Sequence, residues 1–184
     1  MKKIIALLLV AVMVLPMAAC GGAGGGSGYE AAIDLLVETQ YQNGADKLEK
    51  LAPEMFWNFY ETNYGMPRSS MINEATWAVN ANYESLTYSY GENFTAKGEI
   101  VSAENYSADD MDKIKSAFAE QKGITKDNLT DAKKVTVKIM INDTLNEQFE
   151  IGVVKIGNAW YCVQIYIWDE GCSVMFFIEG MVSG

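Results

Sequence analysis

Histidine does not occur anywhere in the 184 residues of this chain. Ser-His-Asp and Cys-His nucleophile pairs, imidazole general bases and His-ligated zinc or iron centres therefore cannot be assembled from this chain alone. Basic side chains are also scarce, with 14 Lys and Arg against 24 Asp and Glu and a net charge of −10. Phosphate recognition depends on clustered cations, so nucleic acid and phospholipid headgroups are poor partners for such a polyanion. A long hydrophobic run is missing too: the apolar stretch Ile4 to Leu15 reaches about 18 Å as a helix, short of the ~30 Å hydrocarbon core a spanning helix must cross. Cysteine is limited to Cys20, Cys162 and Cys172.

What stands at the N-terminus is a set of signals in a fixed order. Lys2 and Lys3 form a basic n-region, Ile4 to Leu15 an apolar h-region, and Met17-Ala18-Ala19-Cys20 a small-residue cleavage site, the pattern of an exported chain. Gly21-Gly22-Ala23-Gly24-Gly25-Gly26-Ser27-Gly28 follows as a tether that cannot fold by itself. An ordinary secretory site would read Ala18 and Ala19 as well, but the cysteine decides between them. The segment resembles a bacterial lipoprotein signal, with residues 17–20 as the lipobox and Met17 where Leu is usual. That resemblance implies removal of residues 1–19, a diacylglycerol on Cys20, and a protein held on the extracytoplasmic face of the cell membrane. Two acyl chains, each methylene contributing about 0.8 kcal/mol, anchor stably where one is marginal. The mature chain would keep 12 basic and 24 acidic residues, a net charge of −12.

From Tyr29 onward 156 residues remain, enough for one domain, 29–184, with a real core. Tyr29, Ile33, Leu36, Val37 and Tyr41 recur at helical spacing before the Asn43-Gly44 stop. Ala45 to Leu51 makes a short segment, and Pro53 opens an aromatic helix to Tyr64. Ser69 or Ser70 is a candidate cap for a long helical stripe, Ile72, Ala75, Val79, Tyr83, Leu86 and Tyr90, ending at Gly91. Phe94 to Ala103 reads as a strand. Ser107 then caps a helix carrying Met111, Ile114 and Phe118 up to Gly123.

Beyond residue 134 the apolar period changes from 3.6 to 2. Val135 to Ile141 is a strand, Asn142-Asp143 a turn, and Phe149, Ile151 and Val153 alternate in a second strand, with Val153-Val154 expected to mark a bulge. Gly157-Asn158 turns into Trp160 to Trp168, and Ser173 to Ile178 reads as a last apolar strand. Cys162 and Cys172, an even pair in an oxidising compartment, invite a disulfide. Hairpin geometry points the other way. A turn at Asp169-Glu170-Gly171 sets Cys172 opposite about Trp168 and leaves Cys162 about 10–20 Å along the strand, past the ~7 Å limit on Cα separation. The sequence leaves both states open.

Helices first, one helix inserted, then an antiparallel meander: this order predicts an α+β class with N-terminal helices packed on a curved sheet built mainly by the C-terminal half. The ending Val153-Val154-Lys155-Ile156-Gly157-Asn158-Ala159-Trp160-Tyr161, a hairpin closed by Trp-Tyr, is similar to the close of nuclear-transport-factor-2-like domains. That resemblance covers about residues 29–168. It implies a cone-shaped fold with a cavity between helices and sheet, and in some relatives a buried Asp acting as a base there. The strand after residue 168 departs from it. Asp34 and Glu84 are the acids such a base role would fall on, although their helical spacing puts both on a solvated face.

Two aromatic groups could line a ligand or partner surface: Phe56, Trp57, Tyr60 and Tyr64 on the second helix, and Trp160, Tyr166 and Trp168 along one face of a strand. Packing in the core is the competing role for each. The expectation is a non-enzymatic, lipid-anchored domain without cofactor or metal. It would bind a small apolar ligand or an envelope protein through an aromatic-lined concavity. The alternative is a small isomerase- or cyclase-like enzyme with a buried carboxylate in the same cavity.

Overall fold

In a computed structural model the described residues are 28–182. The signal segment, Cys20 and the tether up to Ser27 lie outside the described residues. Helices α1 (Tyr29–Tyr41), α2 (Glu54–Tyr64) and α3 (Arg68–Tyr90) come first, with a 3₁₀ turn at Ala45–Leu51 between α1 and α2. Strand β1 (Ala96–Asn105), helix α4 (Ala108–Lys122) and strands β2 (Leu129–Ile141), β3 (Thr144–Ile156), β4 (Ala159–Trp168) and β5 (Gly171–Phe176) follow, and α5 (Phe177–Val182) closes the chain. The five strands form one antiparallel sheet in the order β1-β2-β3-β4-β5. The sheet is curved and open. The α+β class read from the sequence is what the chain adopts.

Local chemistry accounts for most boundaries. α4 begins where the Ser107 hydroxyl accepts the Asp110 amide at 3.1 Å, and it ends at Gly123 in the left-handed region (φ 65°). Asn142 and Asp143 turn β2 into β3 with φ of 49° and 60°, the conformation of a tight primed hairpin. α3 departs from expectation at its start: Pro67 occupies the N-cap, Ser69 and Ser70 fall inside the first turn, and the Arg68 amide is taken by the Glu61 carboxylate at 3.0 Å. β2 starts earlier than the alternation predicted, because Ala132 and Leu129 extend its buried face while Thr130 and Lys134 interrupt the apolar pattern.

Both faces of the sheet are covered where β3 and β4 pair. On one face Ile33 and Val37 of α1 lie over Gly98 of β1 and Val137 of β2, and Tyr29 meets Trp160 edge-on at 5.8 Å. On the other face Phe176 of β5 collects Phe56 of α2 at 4.9 Å, Phe118 of α4 at 5.7 Å and Tyr161 of β4 at 6.2 Å. This explains Val153-Val154. The β3–β4 register runs unbroken from Gly152 to Ile156, with no bulge there, and both valines are fully buried because each faces a different helix layer. The irregularities that do occur fall at Val101 of β1 and at both ends of the β2–β3 ladder.

The last strand ends sooner than expected. Phe176 closes β5 and Phe177 opens α5, which packs against α3. β5 is a sheet edge, and α4 covers it with one side chain: the Gln121 amide donates to the Cys172 carbonyl at 3.0 Å and accepts from the Val174 amide at 3.2 Å. A side-chain amide thus takes the place of a sixth strand and blocks edge pairing. Glu179 of α5 accepts from the Phe176 amide at 2.7 Å and meets Lys122 and Tyr60, tying α5 to α4 and α2. Cys162 and Cys172 are free thiols. Cys172 pairs with Ile167, five residues from Cys162, so the two sulfurs point to opposite faces of the sheet.

Candidate functional site

The two aromatic groups singled out from the sequence do not converge on one surface: the α2 rings pack on one another, Phe56 on Tyr60 at 4.6 Å and Tyr60 on Tyr64 at 4.9 Å. Phe56 and Trp57 are core residues with at most 1 % exposure, a correction to their place on a binding surface. The reason is that α2 is pressed between Phe176 and the 3₁₀ turn. The Trp57 indole N–H donates to the Ala52 carbonyl at 3.2 Å, and the Arg68 guanidinium sits 5.5 Å above its ring. Tyr60 is half-buried and donates to Glu179. Its hydroxyl pKa is raised, first by burial and then by that bond. Tyr64 is exposed at the end of α2, Trp160 rests on Tyr29, and Trp168 is exposed beside Gly171. Of the seven, Tyr166 is the one on the walls of the cleft between β3 and β4.

That cleft comes from a parting of two strands. β4 pairs with β3 only from Gly152↔Val163 to Ile156↔Ala159. Beyond Val163, β4 pairs with β5, while β3 from Thr144 to Ile151 pairs with β2 alone. The wedge between them is a cleft of about 330 Å³. Glu147, Phe149 and Glu150 of β3 form one wall and Gln164, Ile165 and Tyr166 of β4 the other. Tyr41 from the end of α1, Tyr106 from the β1–α4 link and Phe177 from the start of α5 complete it. Gly152 sits at the apex. A Cβ there would lie 2.5 Å from the Ile165 Cδ1, so glycine is what lets the Ile165 side chain cross over β3 as the strands diverge.

The polar groups of the cleft are engaged but reachable. The Tyr41 hydroxyl donates to the Glu147 carboxylate, and its pKa is raised by burial first and by that bond second. Tyr106 is pushed up to about 12 by burial and then by the negative charge of Glu150, Cys172 and Asp110. Both phenols therefore stay neutral donors at physiological pH. Glu150 is paired with Lys134 at 3.3 Å, on the exposed rim. Tyr166 is 59 % exposed, with its hydroxyl 3.3 Å from the Gln164 side-chain oxygen.

Asp34 and Glu84 lie outside the cleft, exposed on α1 and α3. The Asp34 carboxyl is raised by partial desolvation and by Glu38 and Glu30. Its field, after burial, is the second cause raising the Cys162 thiol. Among the described residues no cluster brings together three carboxylate or thiol groups able to hold a metal ion. Sequence reading missed Tyr41, Tyr106, Phe149 and Phe177 as cleft residues because each falls on an ordinary amphipathic stripe or in a link. The one usable signal was Gly152, a glycine inside a strand, which marks a close approach of another chain segment. Comparison with protein-family models, with curated proteins and with solved structures finds no match to this chain.

Proposed function

We propose that this chain is a non-enzymatic binding module, anchored through lipid on Cys20 at the extracytoplasmic face of a cell membrane. In this reading its cleft takes a small apolar or amphipathic ligand. The observation that carries it is the wedge between β3 and β4, about 330 Å³ with five aromatic side chains on its walls. A void of that size lined by rings and a few polar tips is the usual form of a small-molecule site. Anchoring rests on the lipobox reading of residues 17–20. Among the described residues no helix is long and apolar enough to cross a membrane, so attachment at the membrane would fall to Cys20. The likeness to nuclear-transport-factor-2-like domains is part of the same proposal, supported by helices placed ahead of a curved antiparallel meander.

The enzyme alternative has less behind it. The acids it would use, Asp34 and Glu84, are outside the cleft, and the carboxylates that line it, Glu147 and Glu150, are held by Tyr41 and Lys134. Native mass spectrometry of the protein purified from its own host is the test. A small-molecule adduct on the wild type that is lost in Tyr166→Ala supports the reading. A bare chain in both proteins, or a bound envelope protein that survives Tyr166→Ala, sinks it. Anchoring is tested separately by metabolic labelling with a fatty-acid analogue, where label persisting in Cys20→Ala rules out the lipobox assignment.

A further inference from the structure

We propose that the β3–β4 cleft selects a small organic cation, a quaternary ammonium or protonated amine group, over neutral and anionic molecules of the same shape. This rests on the reading of the cleft as a ligand site and adds the ligand's charge to it. Three observations carry it. First, the rings around the cleft stack neither on one another nor on other rings. Among the described residues, Tyr41, Tyr106, Phe149, Tyr166 and Phe177 make no ring-to-ring contact, whereas Phe56, Trp57, Tyr60, Phe118, Tyr161 and Phe176 form a continuous packed set. A ring that turns its face to the cleft offers an entering cation the negative side of its π system.

Second, the protein already places cations over aromatic faces elsewhere: Arg68 over Trp57, Lys122 over Tyr60 and Lys133 over Tyr29, at 5.5–6.0 Å. Among the described residues none of the cleft rings carries one, and none of the lining residues is Lys or Arg. Third, the charged groups of the lining are both carboxylates. Glu150 has Lys134 beside it on the rim, while Glu147 is met by the neutral Tyr41 hydroxyl, which leaves its negative charge uncompensated by that contact. A cation seated among the rings gains from their quadrupoles and from Glu147 together, and the acidic chain raises its local concentration. An anion is repelled by Glu147 and by the ring faces.

Choline and its uncharged isostere 3,3-dimethylbutan-1-ol separate charge from shape, and 3,3-dimethylbutanoate supplies the anion. Each is titrated into the full-length protein with binding read from the NMR signals of Tyr166 and Phe149. The expected result is choline binding about tenfold or more tighter than the alcohol, equivalent to about 1.4 kcal/mol, with no saturable binding of the carboxylate. Glu147→Gln keeps an acceptor for Tyr41 and should reduce choline affinity about fivefold while leaving the alcohol unchanged. Tyr166→Ala, at an exposed ring, should weaken both. Equal affinity for choline and the alcohol, or preference for the carboxylate, overturns the cation inference and leaves the ligand-site reading standing. Absence of any shift at Tyr166 and Phe149 with all three probes overturns both.

Discussion

Replacing Phe176 with alanine tests the packing of the whole helix layer on the β4–β5 face. Phe176 is fully buried and touches three other rings, on α2, α4 and β4. A buried Phe→Ala change costs about 3–5 kcal/mol, and aromatic pairs add about 0.5–1.5 kcal/mol each beyond area, which puts this site at the upper end, about 4–5 kcal/mol. Phe177, the next residue, belongs to α5 and is half-buried on the cleft wall. Its truncation removes less apolar area and leaves a hole open to solvent, so about 1–1.5 kcal/mol is expected. Parallel urea unfolding reads the difference: with a slope of about 2 kcal/mol/M, the midpoint falls by about 2 M for Phe176→Ala and by well under 1 M for Phe177→Ala. Equal losses would mean that strand continues through residue 178 with both faces covered. A Phe176→Ala loss under about 1 kcal/mol would refute the packing itself.

Other perturbations follow from single contacts. Lys122 and Glu179 form an ion pair with 9 % of each side chain exposed; Lys122→Met should cost about 3 kcal/mol in urea unfolding by leaving a buried carboxylate without its cation, and the double change Lys122→Met with Glu179→Leu should cost less than that single one. Burial raises the Cys162 thiol well above its usual range and lifts Cys172 to about 11, with Asp110 adding to the latter; native Cys20→Ala protein at pH 8 should therefore resist Ellman's reagent until urea is added, and reaction of both thiols within seconds in the native state would contradict their burial. Gly152→Ala should displace Ile165 into the cleft, cost about 1–3 kcal/mol in thermal unfolding, and weaken any cleft ligand more than Gly157→Ala does.

The fold class was legible because its signals are local. The Asn142-Asp143 turn and the Ser107 cap each act within a few residues and stand where expected, and the change of apolar period after Lys134 marks β2, although the strand itself begins at Leu129. The errors arose where distant packing decides. Val153-Val154 looked like a bulge because period-2 reasoning assumes one covered face, whereas α1 and the α2–α4 layer cover two. The apolar run from Val174 to Ile178 looked like one strand, yet Glu179 turns back to cap the Phe176 amide and starts a helix at Phe177. Such a bond across three residues is invisible to alternation. The aromatic helix α2 was read correctly as an element, and its Phe56 and Trp57 went to the core because the facing residue, Phe176, lies 120 positions away from Phe56 in sequence.

The parting of β3 and β4 needs its own physical account, since closing it would gain backbone hydrogen bonds. Continuing the register would set residues 147–151 of β3 against 164–168 of β4, and these do not pair; unpaired backbone is kept only where something opposes closure or solvent reaches it. Ile165 supplies part of the opposition: its side chain lies across Gly152, where any Cβ would collide with it. β5 supplies another part. It draws β4 through six pairs from Val163 to Trp168 and is itself fixed by Gln121 and Phe176 to the helix layer. Phe177 and the Tyr41–Glu147 contact border the space between the parted strands. The groups that hold the sheet open are the same ones that line the cleft, so its shape is coupled to the stability of the C-terminal strand and helix: loosening β5 would let β4 fall back toward β3 and close the site before the domain unfolds.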